Sequence, residues 1–345
     1  MNASVLVTSG GSIVAQGIIK SLKIAGKGKY TMIAADTSPL AAGLYRCEKG
    51  VLVPPASSVV DYVESIIRVC NDNDVSAIFC GSDDELLVLA NARDEIERRT
   101  GAKLLTGSTA ALTIARDKWY TYKFCKEKGL ACAPSSLPEG REEFVKEFGF
   151  PLVVKPREGY GSIHFYVANN REEMDAAIST IEKAGWRPLL QKYLSGEEFT
   201  TGVTIDKNAR YAMSSISIKK VIRHGQTYKA FIDDYYTIRR IAEEVALQLR
   251  TCGPINVQAR LEGDSPVIIE INPRFSATCP MRAVAGVNEP DIVFRNLVLG
   301  EEVKVDSYER LVCLRYWNEV YVPYTIYEEA ERGIIEKGSF VPDYF

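Results

Sequence analysis

Hydrophobic and polar residues alternate in two different ways along this chain. Over residues 1–110, short apolar runs alternate with amphipathic helical stretches and glycine-containing turns. The pattern predicts strands at 4–11, 30–36, 75–81 and 102–107, and helices at 12–28, 58–73 and 83–101. Regular strand–helix–strand spacing is typical of a parallel sheet with helices on its faces. We therefore predict a Rossmann-like α/β domain over residues 1–110.

From residue 108 onwards the pattern changes to hairpins and separated helices. One helix is predicted over 108–129, another runs from about Thr237 to Thr251, and a third begins at the cap Asn170. Glu173 completes a capping box for that third helix, and Gly185 ends it. This mixture indicates an α+β region. We predict α+β lobes after the α/β start.

The stretch VVKPREGYGSIHF, residues 153–165, places a lysine at a strand end beside a glycine-rich loop. The common phosphate-binding fingerprints do not fit it, because Lys155 precedes the glycines and His164 stands where a third glycine belongs. Period-two alternation of Ile163, Phe165 and Val167 predicts a second strand. The segment is therefore interpreted as a glycine-rich hairpin that can hold an anion, although an ordinary hairpin with a surface lysine has the same pattern.

A second informative stretch, residues 256–275, contains two alternating strands around a turn at 263–265. This turn places Glu262 opposite Ser265 or Pro266, and counting back places Gln258 opposite Glu270. The face predicted to be buried carries Val257, Ala259, Leu261, Val267, Ile269 and Ile271, and the polar face carries Asn256, Gln258, Arg260, Glu270, Asn272 and Arg274. Oxygens on the polar face can converge on Mg²⁺ that also binds substrate phosphates, while a solvent-facing surface is the simpler explanation.

Two further segments carry weaker signals. The connector at 191–194 can offer backbone groups to an adenine edge, and Glu198 on the next strand can accept two ribose hydroxyls, although an exposed glutamate is commoner there. Near the N-terminus, Gly10, Gly11 and Gly17 miss the dinucleotide-binding spacing despite Asp36 at the end of the second strand. This disfavours a nicotinamide or flavin site, but the turn can still hold part of an anionic substrate at a helix N-terminus.

Composition limits the classes of partner. The chain has 345 residues, 46% of them hydrophobic and 25% charged, with a formal charge of −3. This acidic balance argues against nucleic acid as a partner, and no apolar run reaches the roughly 20 residues of a membrane span. The N-terminus lacks signal-peptide features, and eight scattered cysteines without a CxxC pair favour a reducing cytoplasm. Two histidines are too few for a histidine-rich metal site.

Taken together, four motifs occur in the order that they have in one superfamily. The motifs ARDK, VVKPREGYGS, LQKYLSGEEF and NVQ…IIEINPR, between about residues 108 and 300, resemble the ATP-grasp superfamily. The resemblance is closest to its carbamoyl-phosphate-synthetase-like branch, and residues 1–110 look like the pre-ATP-grasp domain. It implies a two-lobed ATP-grasp fold over residues 111–300, with lobes at about 111–190 and 191–300. A strand-and-helix extension at 301–345 is expected to pack on it. Carbamoyl phosphate synthetase has arginines where Lys118 and Lys155 stand, and it carries two ATP-grasp halves where this chain has one.

The resemblance also implies a set of site residues. It assigns the ATP phosphates to Lys118 and Lys155, the flexible flap to Glu158, Gly159, Tyr160, Gly161 and Ser162, the adenine connector to Gln191, Lys192, Tyr193 and Leu194, and the ribose to Glu198. Gln258, Glu270 and Asn272 match ligands of two Mg²⁺ ions, for which Mn²⁺ is an alternative. Arg274 matches a catalytic arginine that stabilises the transferring phosphoryl group, assisted by Lys155.

The implied activity is ATP-dependent ligation of a small carboxylate, such as an amino acid, to an amine or another nucleophile through an acyl phosphate. Alternatives are a carboxyphosphate- or carbamate-forming subunit that works with a partner, and a non-catalytic ATP-binding regulator. Candidate contacts to the second substrate are Ser9, Gly10, Gly11, Ser82, Asp83, Glu85, Arg223 and His224. The residues around 215–231 are expected to form a lid hairpin that brings Lys220 to an anion. A homodimer is compatible with this interpretation.

Overall fold

The computed structural model describes residues 2–159, 161, 163–223, 225–316, 318–333, 335 and 338–341. Within these residues, three sheets follow one another along the chain. The strands of the first sheet are β1 (Ala3–Val7), β2 (Tyr30–Asp36), β3 (Lys49–Leu52), β4 (Ala77–Phe79) and β5 (Lys103–Leu104). They pair in parallel in the order β3-β2-β1-β4-β5, which confirms the α/β prediction.

Helices cover both faces of the first sheet. They are α1 (Ile13–Ile24), α2 (Val59–Asp72), α3 (Asp83–Asn91) and α4 (Arg93–Thr100). Apolar residues of α1 pack on one face, and those of α2, α3 and α4 pack on the other. The single helix predicted over 83–101 is therefore wrong: the chain turns at Ala92. The Arg93 guanidinium holds this turn by donating to the carbonyl oxygens of Leu104, Thr106 and Gly107.

The helix predicted over 108–129 is also two helices, α5 (Thr109–Arg116) and α6 (Lys118–Glu127). Asp117 lies between them in an extended conformation, with φ −99° and ψ 111°. Its carboxylate accepts a hydrogen bond from the Trp119 amide and so begins α6. The break matters for the site, because it places Lys118 in the first turn of a new helix instead of in the middle of a long one.

The second sheet is antiparallel and has four short strands, β6 (Ser135–Ser136), β7 (Leu152–Pro156), β8 (Tyr166–Ala168) and β9 (Pro188–Lys192). Their order is β6-β9-β7-β8, and the helices α7 (Arg141–Phe148) and α8 (Arg171–Lys183) accompany them. The glycine-rich segment joins β7 to β8 as predicted. The strand expected from Ile163 begins only at Tyr166, because His164 has the left-handed φ of 55° that interrupts extended backbone.

The third sheet has six antiparallel strands, β10 (Glu198–Ile205), β11 (Ala212–Arg223), β12 (Gln226–Ile232), β13 (Gly253–Glu262), β14 (Ser265–Asn272) and β15 (Leu311–Leu314). Their order is β14-β13-β10-β11-β12-β15, so the strand near the C-terminus extends the same sheet. The remaining helices are α9 (Tyr236–Gln248), α10 (Cys279–Val284), α11 (Glu289–Leu297) and α12 (Tyr324–Glu331). None of the helices in the described part of the chain combines the length and apolar character needed to cross a membrane.

One hydrophobic cluster joins the first sheet to the third. It contains α1 residues such as Ile18, residues of α10 and α11 such as Val293, and β11 residues such as Ile216. The Tyr30 hydroxyl donates to Asp291 of α11 at 2.7 Å, which adds a polar contact to the same boundary. Because this boundary is packed like a core, the carboxyl end of the first sheet is held next to the end of β14.

Candidate active site

A cleft opens where α3, α5, α6, the glycine-rich loop and the end of β14 meet. The charged and polar residues along its wall include Asp83, Lys118, Glu158, Gly159, Glu270 and Asn272. These residues come from all three sheets or their connections. Lys118, predicted to bind phosphate, therefore lines the same cleft as Glu270 and Asn272, which were predicted to bind metal.

Lys155 lies on β7, and its side chain is only 7% exposed. Burial, aided by the nearby Lys118 ammonium, lowers the pKa of Lys155 to about 8, against smaller raising effects of Glu270 and Glu198. Its ammonium donates to the Gln191 side-chain oxygen at 2.8 Å, and the Gln191 amide nitrogen donates to Ser135. The lysine is thus pre-positioned in a partly desolvated site, where an anionic phosphate would favour its charged form.

Lys118 holds the base of the glycine-rich loop. Its ammonium donates to the Gly159 carbonyl at 2.6 Å, and its backbone amide donates to the Arg157 carbonyl at 3.0 Å. Arg157 in turn pairs with Asp117, and Glu158 pairs with Arg187. The first half of the loop is therefore anchored by ion pairs. Gly161 adopts a left-handed φ of 64°, while Tyr160 and Ser162 lie outside the described residues.

The predicted adenine connector leaves β9 and enters the third sheet. Gln191 directs its side chain towards Lys155, and the Lys192 amide donates to the Pro134 carbonyl at 2.9 Å. Tyr193 follows the strand, and the Leu194 carbonyl accepts from Arg260 at 3.0 Å. The Lys192 amide and the Leu194 carbonyl are thus already bonded within the protein, and adenine contacts along this segment stay a prediction.

Glu198 lies at the start of β10 between two cations. Lys220 approaches one carboxylate oxygen at 2.6 Å, and Arg260 approaches the other at 2.6 Å. Burial alone would raise the pKa of Glu198, but these two cations hold it below its usual range. The carboxylate therefore stays ionised and is fixed by a cation on each oxygen.

The hairpin of β13 and β14 displays the predicted oxygen ligands. Gln258 lies directly opposite Glu270, as the count from the turn predicted. A bulge after Gln258 shifts the register, so Ile268 is buried and Ile269, which was predicted to be buried, is only partly covered. Asn272 donates its amide to Glu270 at 3.1 Å, which leaves its own oxygen and the second Glu270 oxygen on the same strand face.

This donor set fits one or two Mg²⁺ ions that also bind phosphates. It contains a single carboxylate and two amide oxygens, and the described residues hold no cluster of three or more carboxylate, cysteine or histidine groups. The Gln258 oxygen accepts from Lys220 at 2.8 Å. A metal ion at Gln258 would therefore displace a cation that the protein itself places there.

Arg274 follows β14 by two residues and is engaged across the domain boundary. Its Nε and Nη2 atoms donate to the two carboxylate oxygens of Asp83 at 2.6 and 2.8 Å. Its Nη1 atom donates to the Phe275 carbonyl at 3.0 Å. Asp83 was predicted as a contact to the second substrate, and the structure instead brings it to the predicted catalytic arginine.

Several other predicted substrate contacts are used inside the protein. The Gly10 amide donates to the Ala35 carbonyl, and the Gly11 amide donates to Asp36 at 2.8 Å. Ser9 donates to Ser82, and Ser82 forms a capping box with Glu85. These groups are therefore turn and helix-cap elements with their polar atoms satisfied, and the geometry does not favour an anion there.

Glu85 is 3% exposed and accepts from Thr8, Tyr62 and backbone amides, which makes it a structural carboxylate. Arg223 lies at the exposed tip of the β11–β12 hairpin, with its guanidinium 5.5 Å from the Tyr228 ring centre, and His224 lies outside the described residues.

The two site cations that sequence reasoning did not assign are Lys220, expected only as a lid residue, and Arg260. Strand alternation places Arg260 on the polar face but does not reveal its partner.

The chain matches two known domain families. Residues 115–278 match the ATP-grasp domain, and residues 5–104 match the PylC-like N-terminal domain. Carbamoyl phosphate synthase large chain of Helicobacter pylori (strain J99 / ATCC 700824) is 26% identical over 231 residues, which cover 61% of this chain and 21% of that protein. The arginine-specific large chain of Bacillus subtilis (strain 168) is 21% identical over 202 residues, covering 55% and 20%. The chain thus spans about a fifth of the length of these curated relatives.

Solved structures share the fold at low sequence identity. Biotin carboxylase from Campylobacter jejuni, as its β,γ-ATP complex, has a TM-score of 0.69 and 17% identity, covering 88% of this chain and 72% of that chain. The ADP complex of purK, N5-carboxyaminoimidazole ribonucleotide synthetase, has a TM-score of 0.71 and 14% identity, covering 90% and 80%. The fold predicted from sequence is confirmed by these similarities.

Proposed function

We propose that this chain, in which an ATP-grasp domain follows a PylC-like N-terminal domain, is an ATP-dependent ligase that joins a small carboxylic acid to an amine or another nucleophile. The single observation that carries this proposal is the cleft whose wall brings Lys118 together with Glu270 and Asn272. Lys155 is buried near it, within reach of the charges of Lys118 and Glu270. In this assignment residues 1–110 and 111–300 form the two domains, and residues 301–345 form an extension of the second.

The cleft residues divide between nucleotide binding and phosphoryl transfer. Lys118 and Lys155 would bind ATP phosphates, and the loop from Glu158 through Ser162 would cover them. The connector from Gln191 to Leu194 would contact adenine, and Glu198 would accept the ribose hydroxyls. An ammonium has three N–H donors, so Lys118 could bind a phosphate oxygen and keep its bond to the Gly159 carbonyl.

Gln258, Glu270 and Asn272 would hold Mg²⁺. A bound ion neutralises phosphate charge and aligns the triphosphate. The lone carboxylate suits an ion whose other ligands are phosphate oxygens, which supports Mg²⁺ or Mn²⁺ arriving with the nucleotide. Whether one or two ions bind is tested by titrating the protein with Mn²⁺ in the presence of ADP and counting bound ions by electron paramagnetic resonance.

The chemistry needs no nucleophile from the protein. A carboxylate oxygen of the acid attacks the γ-phosphorus, and ADP leaves, which gives an acyl phosphate. The nucleophile then attacks the acyl carbon, and inorganic phosphate leaves. Arg274 would stabilise charge on the transferring phosphoryl group, and Lys155 would assist. Closure of the glycine-rich loop would keep water away from the acyl phosphate.

Bicarbonate is a second candidate for the acid. The observation that favours it is the similarity to biotin carboxylase, to N5-carboxyaminoimidazole ribonucleotide synthetase and to carbamoyl phosphate synthase large chain. With bicarbonate the first product would be carboxyphosphate. Bicarbonate would use the same phosphoryl-transfer residues as an amino acid or another small acid. The nucleotide cleft therefore does not separate the two candidates, which differ only in the acid.

The decisive experiment is a phosphate-release screen with Mg-ATP, pooled small acids and amines, in buffer with and without carbon dioxide. Acids that stimulate release are then supplied with ¹⁸O in the carboxylate, and mass spectrometry follows the label. Transfer of one ¹⁸O into phosphate is the expected result, because the bridging oxygen of an acyl phosphate comes from the acid. Release without label transfer would contradict the mechanism. Binding of Mg-ATP without release under any condition would favour the regulatory alternative.

A homodimer is proposed as the assembly to test, because a biotin carboxylase domain of Hydrogenobacter thermophilus with this fold is described as a dimer. Sedimentation velocity across a hundredfold concentration range measures it. A single species at the monomer mass of 38.3 kDa would contradict the proposal.

A further inference from the structure

Asp83 and Arg274 come from different domains and form a bidentate ion pair. Asp83 is the first residue of α3 in the N-terminal domain, and Arg274 lies two residues after Asn272, the last residue of β14. The guanidinium Nε and Nη2 atoms lie 2.6 and 2.8 Å from the two carboxylate oxygens. Two parallel charge-assisted bonds fix the plane of a guanidinium as well as its position.

The surroundings favour the ionised pair. The Arg274 side chain is 13% exposed and that of Asp83 is 27% exposed. Burial alone would raise the pKa of Asp83, but the charge and hydrogen bonds of Arg274 hold it below its usual range. The first turn of α3 also favours a carboxylate, since the amide dipoles of the helix point towards it.

The pairing leaves a defined set of donors on Arg274. A guanidinium has five N–H groups, and three of them are used by Asp83 and the Phe275 carbonyl among the described residues. The remaining two are one on each terminal nitrogen. Asp83 thus binds the edge of the guanidinium formed by Nε and Nη2. One N–H on each terminal nitrogen is left to donate to an oxyanion.

We propose that Asp83 is a positioning residue, which aims Arg274 at the transferring phosphoryl group. The proposal rests on the proposed function and adds to it that the N-terminal domain supplies part of the phosphoryl-transfer machinery. Without the carboxylate, Arg274 would keep its charge but lose the partner that sets its plane. The loss would therefore fall on a transition-state-like ligand and spare ground-state nucleotide binding.

The test compares two ligands that share the same nucleotide. Mg-ADP reports ground-state binding, and Mg-ADP with fluoroaluminate adds a mimic of the phosphoryl group in flight. We expect Asp83→Asn to change the Kd of Mg-ADP by less than about twofold and to weaken the fluoroaluminate complex by about 30-fold. Asp83→Ser is the second variant in case the first folds poorly, and circular dichroism checks both.

A double-mutant cycle separates positioning from a general structural role. Arg274→Ala should weaken the fluoroaluminate complex at least as much, and adding Asp83→Asn to it should cause no further loss. The matched control is Asp61→Asn, which removes an exposed carboxylate from the first turn of α2 in the same domain. It should leave both ligands bound as in the parent protein.

The outcomes distinguish this proposal from the proposed function. Equal loss of both ligands in Asp83→Asn and Asp83→Ser, no loss in either, or additive effects in the double mutant would each overturn the positioning role. Failure of the parent protein to bind Mg-ADP would overturn the proposed function itself. Binding of Mg-ADP and fluoroaluminate by the parent protein, with a selective loss in the Asp83 variants, supports both.

Discussion

Two groups of polar residues sit at strand ends in this protein, and they differ in what is already satisfied. The first group surrounds the N-terminal turn and consists of Ser9, Asp36, Ser82, Glu85 and their neighbours. The second lies in and around the cleft and consists of Lys118, Lys155, Gln258, Glu270 and their neighbours. Both resemble ligand sites in sequence, because each has glycines and charged residues next to a predicted strand.

In the first group the polar atoms bond one another. Glu85 accepts from Thr8, from the Tyr62 hydroxyl at 2.5 Å and from the Gly81 amide at 3.0 Å. Asp36 accepts from the Gly11 and Ser38 amides. Glu85 accepts from buried donors and Asp36 accepts from backbone amides of a more exposed turn, so the two carboxylates stabilise the start of α3 and the turn.

In the second group like charges lie close together and acceptors face cations that a ligand can replace. Lys155 has its pKa lowered to about 8 partly by Lys118, and Gln258 accepts from Lys220 where a metal ion would bind. Such an arrangement is unfavourable without an anion and becomes favourable with one. A binding site therefore differs from a structural network in having charges that are unfavourable in the absence of a ligand, and not in polarity alone.

The largest expected effect is at Glu270. Replacing it with alanine removes the lone carboxylate among the predicted metal ligands, so ATP-dependent turnover should fall by at least about 100-fold. Phosphate release measures the change, with circular dichroism to confirm the fold. The matched control is Glu244→Ala on the exposed face of α9, which should retain normal turnover. Near-normal turnover in Glu270→Ala would remove the metal assignment.

At Glu85 we expect a loss of stability without a loss of nucleotide affinity. The substitution Glu85→Ala leaves several buried donors without an acceptor, so the free energy of unfolding should fall by about 2 kcal/mol. Urea denaturation measures this loss. The affinity of the remaining folded protein for Mg-ADP should stay within about twofold, because Glu85 stabilises a helix cap and does not line the nucleotide site. A selective loss of Mg-ADP binding at unchanged stability would reverse the roles of the two regions.

Local pattern was enough to predict much of the cleft. The lysine before the glycine-rich loop, and the opposition of Gln258 and Glu270, follow from alternation and from a short turn. The turn alone left two registers open. In the structure Glu262 pairs with Ser265, and the bulge near Ile269 restores the pairing of Gln258 with Glu270. A bulge of this kind has no signature in period-two alternation, which is why Ile269 was assigned to the wrong environment.

The remaining features depend on contacts between distant parts of the chain. Asp83 meets Arg274 across 191 positions, and Arg260 meets Glu198 across 62. Periodicity within a segment carries no information on such pairs. The helix breaks at Ala92 and Asp117 have the same origin, because Arg93 and Arg157 hold these turns through bonds to other segments. The sequence therefore predicted the ligand-facing strands better than the ion pairs that orient them.

A smaller effect is expected from the pKa of Lys155. Because the pKa of this lysine is lowered to about 8, the ammonium that would bind phosphate is lost as the pH rises above 8. The affinity for Mg-ADP should fall about tenfold between pH 7 and pH 9. The charged groups around Lys155 are Lys118, Glu270, Glu198 and Arg260.

Calorimetry in buffers of different ionisation enthalpy supplies a second measure at Lys155. A bound phosphate raises the pKa of the ammonium, so binding at pH 8.5 should take up a proton, and binding at pH 7 should take up almost none. Lys155→Arg, which stays charged at both pH values, should abolish the uptake. Uptake of equal size in that variant would assign the proton to another group.

The smallest effect is expected at Asp36. This residue tests most directly whether the polar group at the N-terminal turn is structural. In the parent protein the Gly11 and Ser38 amides bond different oxygens of Asp36. Asp36→Asn keeps only one acceptor oxygen, so one of these bonds is lost and the free energy of unfolding should fall by about 1 kcal/mol. Mg-ADP affinity should not change, and NADH should bind neither form, because the turn amides are already bonded within the protein. A tenfold loss of affinity for either nucleotide would show that satisfied hydrogen bonds at a strand end do not exclude a ligand, and the distinction between the two regions would fail.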